Sequence, residues 1–235
     1  MLRRSIPACL GLLGMLLAAQ ASASISLSAT RVVFDGTHKE ANVTVRNGSQ
    51  DVLVQSWIDS GEGTTQAAPF AVTPPLAKVL PKEQQLLRIL YEGKGLPTDK
   101  ESVVWLNVQE IPQASAAANT LQLAVRQRIK VFFRPAQLQG DPLAAPSQLQ
   151  WRWSQEGAGG VLTVRNPSLF HVSMGDVTLK AGGQKTLAAD SSMIAPGETK
   201  VFKVKQFDGT SSVQLTFDSI NDYGAQNQHQ VTVGR

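Results

Sequence analysis

The sequence predicts an all-β protein built from two β-sandwiches. Short runs of alternating apolar and polar residues recur roughly every ten residues, separated by clusters of Gly, Pro, Asn and Asp. Helical periodicity is missing over any useful length. The stretch VTVRNGSQDVLVQSW at 43–57 is echoed by LTVRNPSLFHVSM at 162–174. Both share a Thr-Val-Arg-Asn strand end, a turn and a second apolar strand, and they lie 119 residues apart. That separation is about one sandwich domain, so the echo reads as a repeated fold.

The first 23 residues are expected to stand outside the fold. Arg3 and Arg4 supply a positive n-region, Leu10 to Ala19 an apolar run and Ala21-Ser22-Ala23 a small-residue cleavage site. Together they read as a secretory signal peptide, with Ser24 as the first mature residue. Ten apolar residues are too few to span a bilayer, so membrane insertion is not expected. Cleavage would remove Cys9, the single cysteine, and leave no disulfide, thiol nucleophile or thiolate metal site. It would also take away two of the four excess positive charges, so the basic pI does not argue for nucleic acid.

Strands are expected at 25–34, 41–46, 52–58, 85–91, 103–109 and 121–133, each with period-2 alternation between turn residues. A second set is expected at 161–165, 172–179, 199–204, 213–217 and 228–233. The pattern breaks in RPAQLQGDPLAAP, 134–146, which divides the mature chain into domains at 24–138 and 139–235. The run 121–133 is unusual. At about 3.3 Å per residue it would extend over ~40 Å, against a common strand length of five or six residues. Leu121, Leu123 and Val125 form apolar teeth on one parity at its start, and Arg126, Arg128, Lys130 and Arg134 crowd the other parity further on.

Catalytic patterns are missing. His38, His171 and His229 lie far apart without a second ligand at metal spacing, so each reads as an ordinary turn or strand histidine and no metal is expected. There is no nucleophile elbow, phosphate loop or dinucleotide fingerprint, and the acidic residues are scattered singly. The sequence therefore argues against an enzyme and implies no cofactor. GAGG at 157–160 reads as a hairpin turn. Trp151 and Trp153 alternate and could form a carbohydrate-binding platform, although strand packing is the better reading.

The blocks SATRVVFDG (28–36), VTPPLAKVLP (72–81), LNVQEIP (106–112), LQLAVRQRIKVFFRP (121–135), VRNPS (164–168) and INDYG (220–224) occur in this order. Together they resemble the periplasmic pilus chaperones of the chaperone–usher pathway across essentially the whole mature chain. The resemblance implies two immunoglobulin-like domains arranged as an L with a cleft between them. It implies pilus subunits as partners, delivery to an outer-membrane usher, and a periplasmic location. Self-capping oligomers of the free chaperone remain open.

By the same resemblance, Arg31 and Lys130 are the cleft pair that binds the client's terminal carboxylate, and Leu121, Leu123 and Val125 are the donor-strand residues. Glu101, Arg134 and Asp222 match an interdomain ion network that sets the cleft angle. Pro74 or Pro75 is a candidate cis proline. The loop PQASAAAN, 112–119, is short and places the chain in the short-loop subclass. The alternative reading is a β-sandwich pilus subunit or adhesin.

Overall fold

The computed structural model describes residues 25–48, 50–61, 67–112, 123–209 and 212–233. The segment read as a signal peptide, most of the 112–119 loop and Leu121, expected as a donor-strand residue, lie outside these residues. The first half contains β1 (Ile25–Leu27), β2 (Arg31–Asp35), β3 (Glu40–Asn47), β4 (Val52–Asp59), β5 (Phe70–Thr73), β6 (Leu76–Val79), β7 (Gln84–Tyr91), β8 (Ser102–Pro112) and β9 (Arg126–Arg134). They form a four-stranded sheet in the order β1-β3-β7-β5 and a five-stranded sheet in the order β2-β9-β8-β4-β6.

The second half contains β10 (Gln150–Glu156), β11 (Gly159–Arg165), β12 (Val172–Ala181), β13 (Gln184–Ala189), β14 (Ser192–Ile194), β15 (Thr199–Val204), β16 (Val213–Ile220) and β17 (Gln226–Val233). Its sheets run β10-β11-β15 and β13-β12-β16-β17, with β14 added to β12.

Each half has its own core. Val43, Val45, Leu87, Ile89, Leu106 and Val131 are fully shielded in the first, all on the inward parity of their strands. Phe34, Phe70, Tyr91 and Phe133 close one end of it with ring centroids 4.4–6.4 Å apart. Trp153, Leu162, Val164, Phe207, Leu215 and Phe217 anchor the second. Trp153 is 2% exposed, and the neighbouring Gly160 leaves room for its ring, since a Cβ there would fall 2.5 Å from the indole. Trp151 packs partly against the same core. The two tryptophans therefore serve packing and do not form a platform.

The repeated Thr-Val-Arg-Asn has a physical meaning. Asn47 is buried at the end of β3 and donates through Nδ2 to the carbonyls of Gln50, Val79 and Leu80 at 2.6–3.0 Å. Asn166 is buried just past β11 and donates to Phe170, Ile194 and Ala195 at 2.7–3.1 Å. Each side chain ties neighbouring chain reversals to one strand end by donating to their carbonyls.

Several expectations need correction. The expected strand 25–34 is two strands: β1 pairs with β3 in one sheet, and β2 pairs in parallel with β9 in the other. The buried parity shifts from Ile25 to Val32 and Phe34 as the chain crosses between sheets. β10 carries the strand packing expected of Trp151 and Trp153, whereas β5 and β6, divided by a cis Thr73–Pro74 bond, and β13 and β14 are strands that the sequence reading does not contain. The long strand starts at Arg126, and Leu123 to Val125 are irregular, although Glu110 N–H still donates to the Val125 carbonyl at 3.0 Å. Regular pairing between β8 and β9 begins at Gln109↔Arg126, and Leu123 and Val125 have no core of their own to enter.

Candidate functional site

A cleft between the two halves is lined by Arg31, Glu101, Phe132 and Arg134 from the first and by His171, Ser173 and Asp222, among others, from the second. Arg31 and Lys130 begin the parallel pairing of β2 with β9 and sit directly opposite one another. Residues opposite on adjacent strands share a face, so their two cations project from the same side of the sheet. Arg31 Nη1 donates to the Ile220 carbonyl at 2.8 Å, while its Nε is buried with no hydrogen-bond partner among the described residues. Lys130 Nζ reaches Ser173 Oγ at 3.4 Å, a weak contact.

This environment is poor for positive charge. Burial pulls the Lys130 ammonium below the ordinary lysine value, and the Arg31 cation pulls it further. Burial also lowers Arg31, against the opposing fields of Asp222 and Glu101. Two half-desolvated cations side by side, one with a buried donor that has no partner among the described residues, are chemically suited to an anion. An arginine fork and a lysine point charge suit a carboxylate.

Deeper in the junction, Arg134 is held by both halves. Its Nε donates to Glu101 Oε2 at 2.7 Å, and its Nη1 and Nη2 grip Asp222 at 2.7 and 2.8 Å. Burial alone would lower the Arg134 pKa, but the bonds to Asp222 and the charge of Glu101 raise it above the usual arginine value. The Glu101 side chain is 1% exposed, and its Oε1 accepts the backbone N–H of His171 at 2.7 Å. The His171 ring places Nδ1 2.9 Å from the same oxygen. The His171 side chain is therefore buried in the junction, which corrects its reading as an ordinary turn or strand histidine. Its position depends on a partner 70 residues away, and the sequence around it carries no local signal. Among the described residues no cluster of His, Cys, Asp and Glu could hold a metal.

Comparison with known proteins gives this geometry a family. The pili and flagellar-assembly chaperone family, PapD N-terminal domain, matches residues 24–139, and the pili assembly chaperone PapD C-terminal domain matches residues 144–231. The chain is a pilus-assembly chaperone by family. The probable fimbrial chaperone YadV of Escherichia coli strain K12 is 40% identical to it over 214 residues, covering 86% of this chain and 87% of the relative. The crystal structure of the YadV chaperone superposes with a TM-score of 0.77 at 37% identity, covering 90% of this chain and all of that one. A structure of Salmonella enterica SafA pilin in complex with the SafB chaperone gives a TM-score of 0.73 at 26% identity, with 92% and 99% covered. Family membership sets aside the reading as a pilus subunit or adhesin.

In this chaperone Leu123 and Val125, expected as donor-strand residues, stand clear of the fold. Leu123 is 69% exposed and Val125 38%, while Ile129, Val131 and Phe133, on the same parity of one strand, are buried in the core. β9 pairs with β8 from Arg126 to Phe133, but β2 covers its other side only from Lys130 to Arg134. Among the described residues, Arg126 to Ile129 therefore present an open strand edge that leads directly to the exposed teeth. The two features meet at Lys130, where the open edge ends and the cation pair begins.

Proposed function

We propose that the chaperone captures pilus subunits in the periplasm by donor-strand complementation and passes them to an outer-membrane usher. The terminal carboxylate of the subunit binds Arg31 and Lys130. The subunit's unfinished sheet takes up the open edge of β9 by β-augmentation, and Leu121, Leu123 and Val125 fill its apolar groove. One observation carries this reading: two partly desolvated cations in register, one with a buried donor that is unpartnered among the described residues, at the end of a strand edge whose backbone pairs with no other described strand from 126 to 129. Each tooth supplies about 1.5–3 kcal/mol if fully buried by the client.

The Glu101–Arg134–Asp222 network, joined by His171, fixes the orientation of domains 24–138 and 139–235 and so the width of the cleft. The 112–119 loop places the chaperone in the short-loop subclass. The resting edge is also open to a second copy, which would cap it when no client is present. No catalytic step is involved. Among the described residues no helix is long and apolar enough to cross a membrane.

Arg31→Ala and Lys130→Ala test the assignment. Removing one partner of a desolvated carboxylate costs about 2–5 kcal/mol, or roughly 30- to 5,000-fold in affinity. Both variants should fold and lose a co-expressed pilin subunit in periplasmic co-purification. Capture at the wild-type level by either folded variant would refute the anchor.

A further inference from the structure

The outer face of the five-stranded sheet carries a straight row of four residues. Asp59 on β4 lies opposite Trp105 on β8, Trp105 lies opposite Lys130 on β9, and Lys130 lies opposite Arg31 on β2. Lys130 Nζ is 5.6 Å from the Trp105 ring centroid, within cation–π range. The ring is braced from other directions. The Arg128 guanidinium lies 4.4 Å from its centroid and is held by Asp59, Nη2 to Oδ1 at 2.7 Å. Asp59 is fixed in turn by Asn107 Nδ2 at 2.6 Å and Gly61 N–H at 2.8 Å. Gly61 has φ +94°, and a Cβ there would come within 3.1 Å of the indole nitrogen.

The need for a brace follows from the anchor's composition. Lys130 ends a flexible stem of four methylenes, Arg31 repels it, and its hydrogen bonding among the described residues is the long contact to Ser173. An acidic residue at position 105 would hold the ammonium, but it would also neutralise the charge that an incoming carboxylate needs. An aromatic face attracts the ammonium through its quadrupole and leaves the net charge intact. We propose that Trp105 is a positioning residue for the carboxylate anchor: its indole face holds the Lys130 ammonium beside Arg31 without neutralising it, and the Asp59–Arg128 pair braces the ring. This inference rests on the reading of Arg31 and Lys130 as the anchor.

The test compares full-length mature Trp105→Phe and Trp105→Leu with wild type, with Trp105→Met as a second non-aromatic variant should the leucine substitution fold poorly. The first readout is side-chain order at Lys130, from carbon relaxation at its ε position. The second is the preference for a short synthetic β-strand peptide ending in a free carboxylate over the same peptide ending in an amide. Phenylalanine should keep both properties. Leucine or methionine should mobilise Lys130 and reduce the carboxylate preference about two- to thirty-fold, the range of a cation–π contact. Arg31 should keep its order, because its bond to Ile220 does not involve the ring. An unchanged Lys130 order and preference in the non-aromatic variants overturns the proposal. If wild type itself shows no carboxylate preference, the anchor reading fails, and Lys130 order alone then decides whether Trp105 positions the ammonium.

Discussion

Glu101→Ala is the substitution expected to do most damage at the junction. Its carboxylate is 1% exposed and receives three contacts from two directions: Arg134 Nε at 2.7 Å, His171 N–H at 2.7 Å and His171 Nδ1 at 2.9 Å. The first of these holds the strand that carries Lys130, and the other two hold the second domain. Truncation leaves a buried backbone N–H without its acceptor and strips Arg134 of one of its two anions. Breaking a buried ion pair from one side costs about 3–5 kcal/mol. For a chain of this size that corresponds to a fall of roughly 6–20 °C in Tm. Since the lost contacts cross the junction, the interdomain angle should also spread. Thermal melting measures the first effect, and residual dipolar couplings on the two domains measure the second. A variant that melts within about 0.5 kcal/mol of wild type, with its domain orientation unchanged, would refute the role given to Glu101 and, with it, the account of the network.

Lys130→Met should abolish client capture yet stabilise the free chaperone by about 1 kcal/mol, because it removes a partly desolvated cation beside Arg31. The folded pKa of Lys130 lies below its unfolded value, so the unfolded state binds more protons between the two. Wild-type stability should therefore rise with pH as it approaches the ordinary lysine value of about 10.4, and Lys130→Met should flatten that rise in a pH series of melts. Leu123→Glu should leave the free protein's Tm unchanged, since the side chain is 69% exposed, while co-expressed pilin aggregates for want of a groove filler; unfolding of the free variant would contradict the donor role. Asn166→Leu takes the Nδ2 donor from the Phe170, Ile194 and Ala195 carbonyls, the first and last of which keep Ser168 Oγ and Glu198 N–H, and takes the Oδ1 acceptor from Ser168 N–H; it should cost about 1–3 kcal/mol, with hydrogen exchange accelerating in the second domain and not in the first.

The strands and cores were readable because burial follows parity. Val43 and Val45, or Leu162 and Val164, alternate in the sequence and point inward in the fold. The crossing between β1 and β2 was also present, as a phase shift between Ile25/Leu27 and Val32/Phe34, but unbroken alternation masked it. β5 and β6 are four residues each around Pro74 and Pro75, too short to announce a period. The proposed anchor was legible only through family resemblance, since nothing local distinguishes Lys130 from Arg126 or Arg128. What distinguishes it is its place opposite Arg31, and that is a property of the assembled sheet. The junction role of His171 and the place of Trp105 were illegible for the same reason: their partners come from other strands.

The parallel pairing of β2 with β9 joins residues 99 positions apart, Arg31 to Lys130. Such a pairing has a high contact order and forms late, after the intervening chain has closed its loop. β2 pairs with no other strand of its sheet, so this rim must wait for the last strand of the domain. A chain emerging N-terminus first would carry Arg31 early but could not place it until residues near 130 had followed and folded. On the proposed reading, the ability to seize a client's terminus would thus arise only when the domain is complete. A half-folded chaperone, itself rich in unpaired edges, would lack the grip needed to entangle a subunit that is equally unfinished.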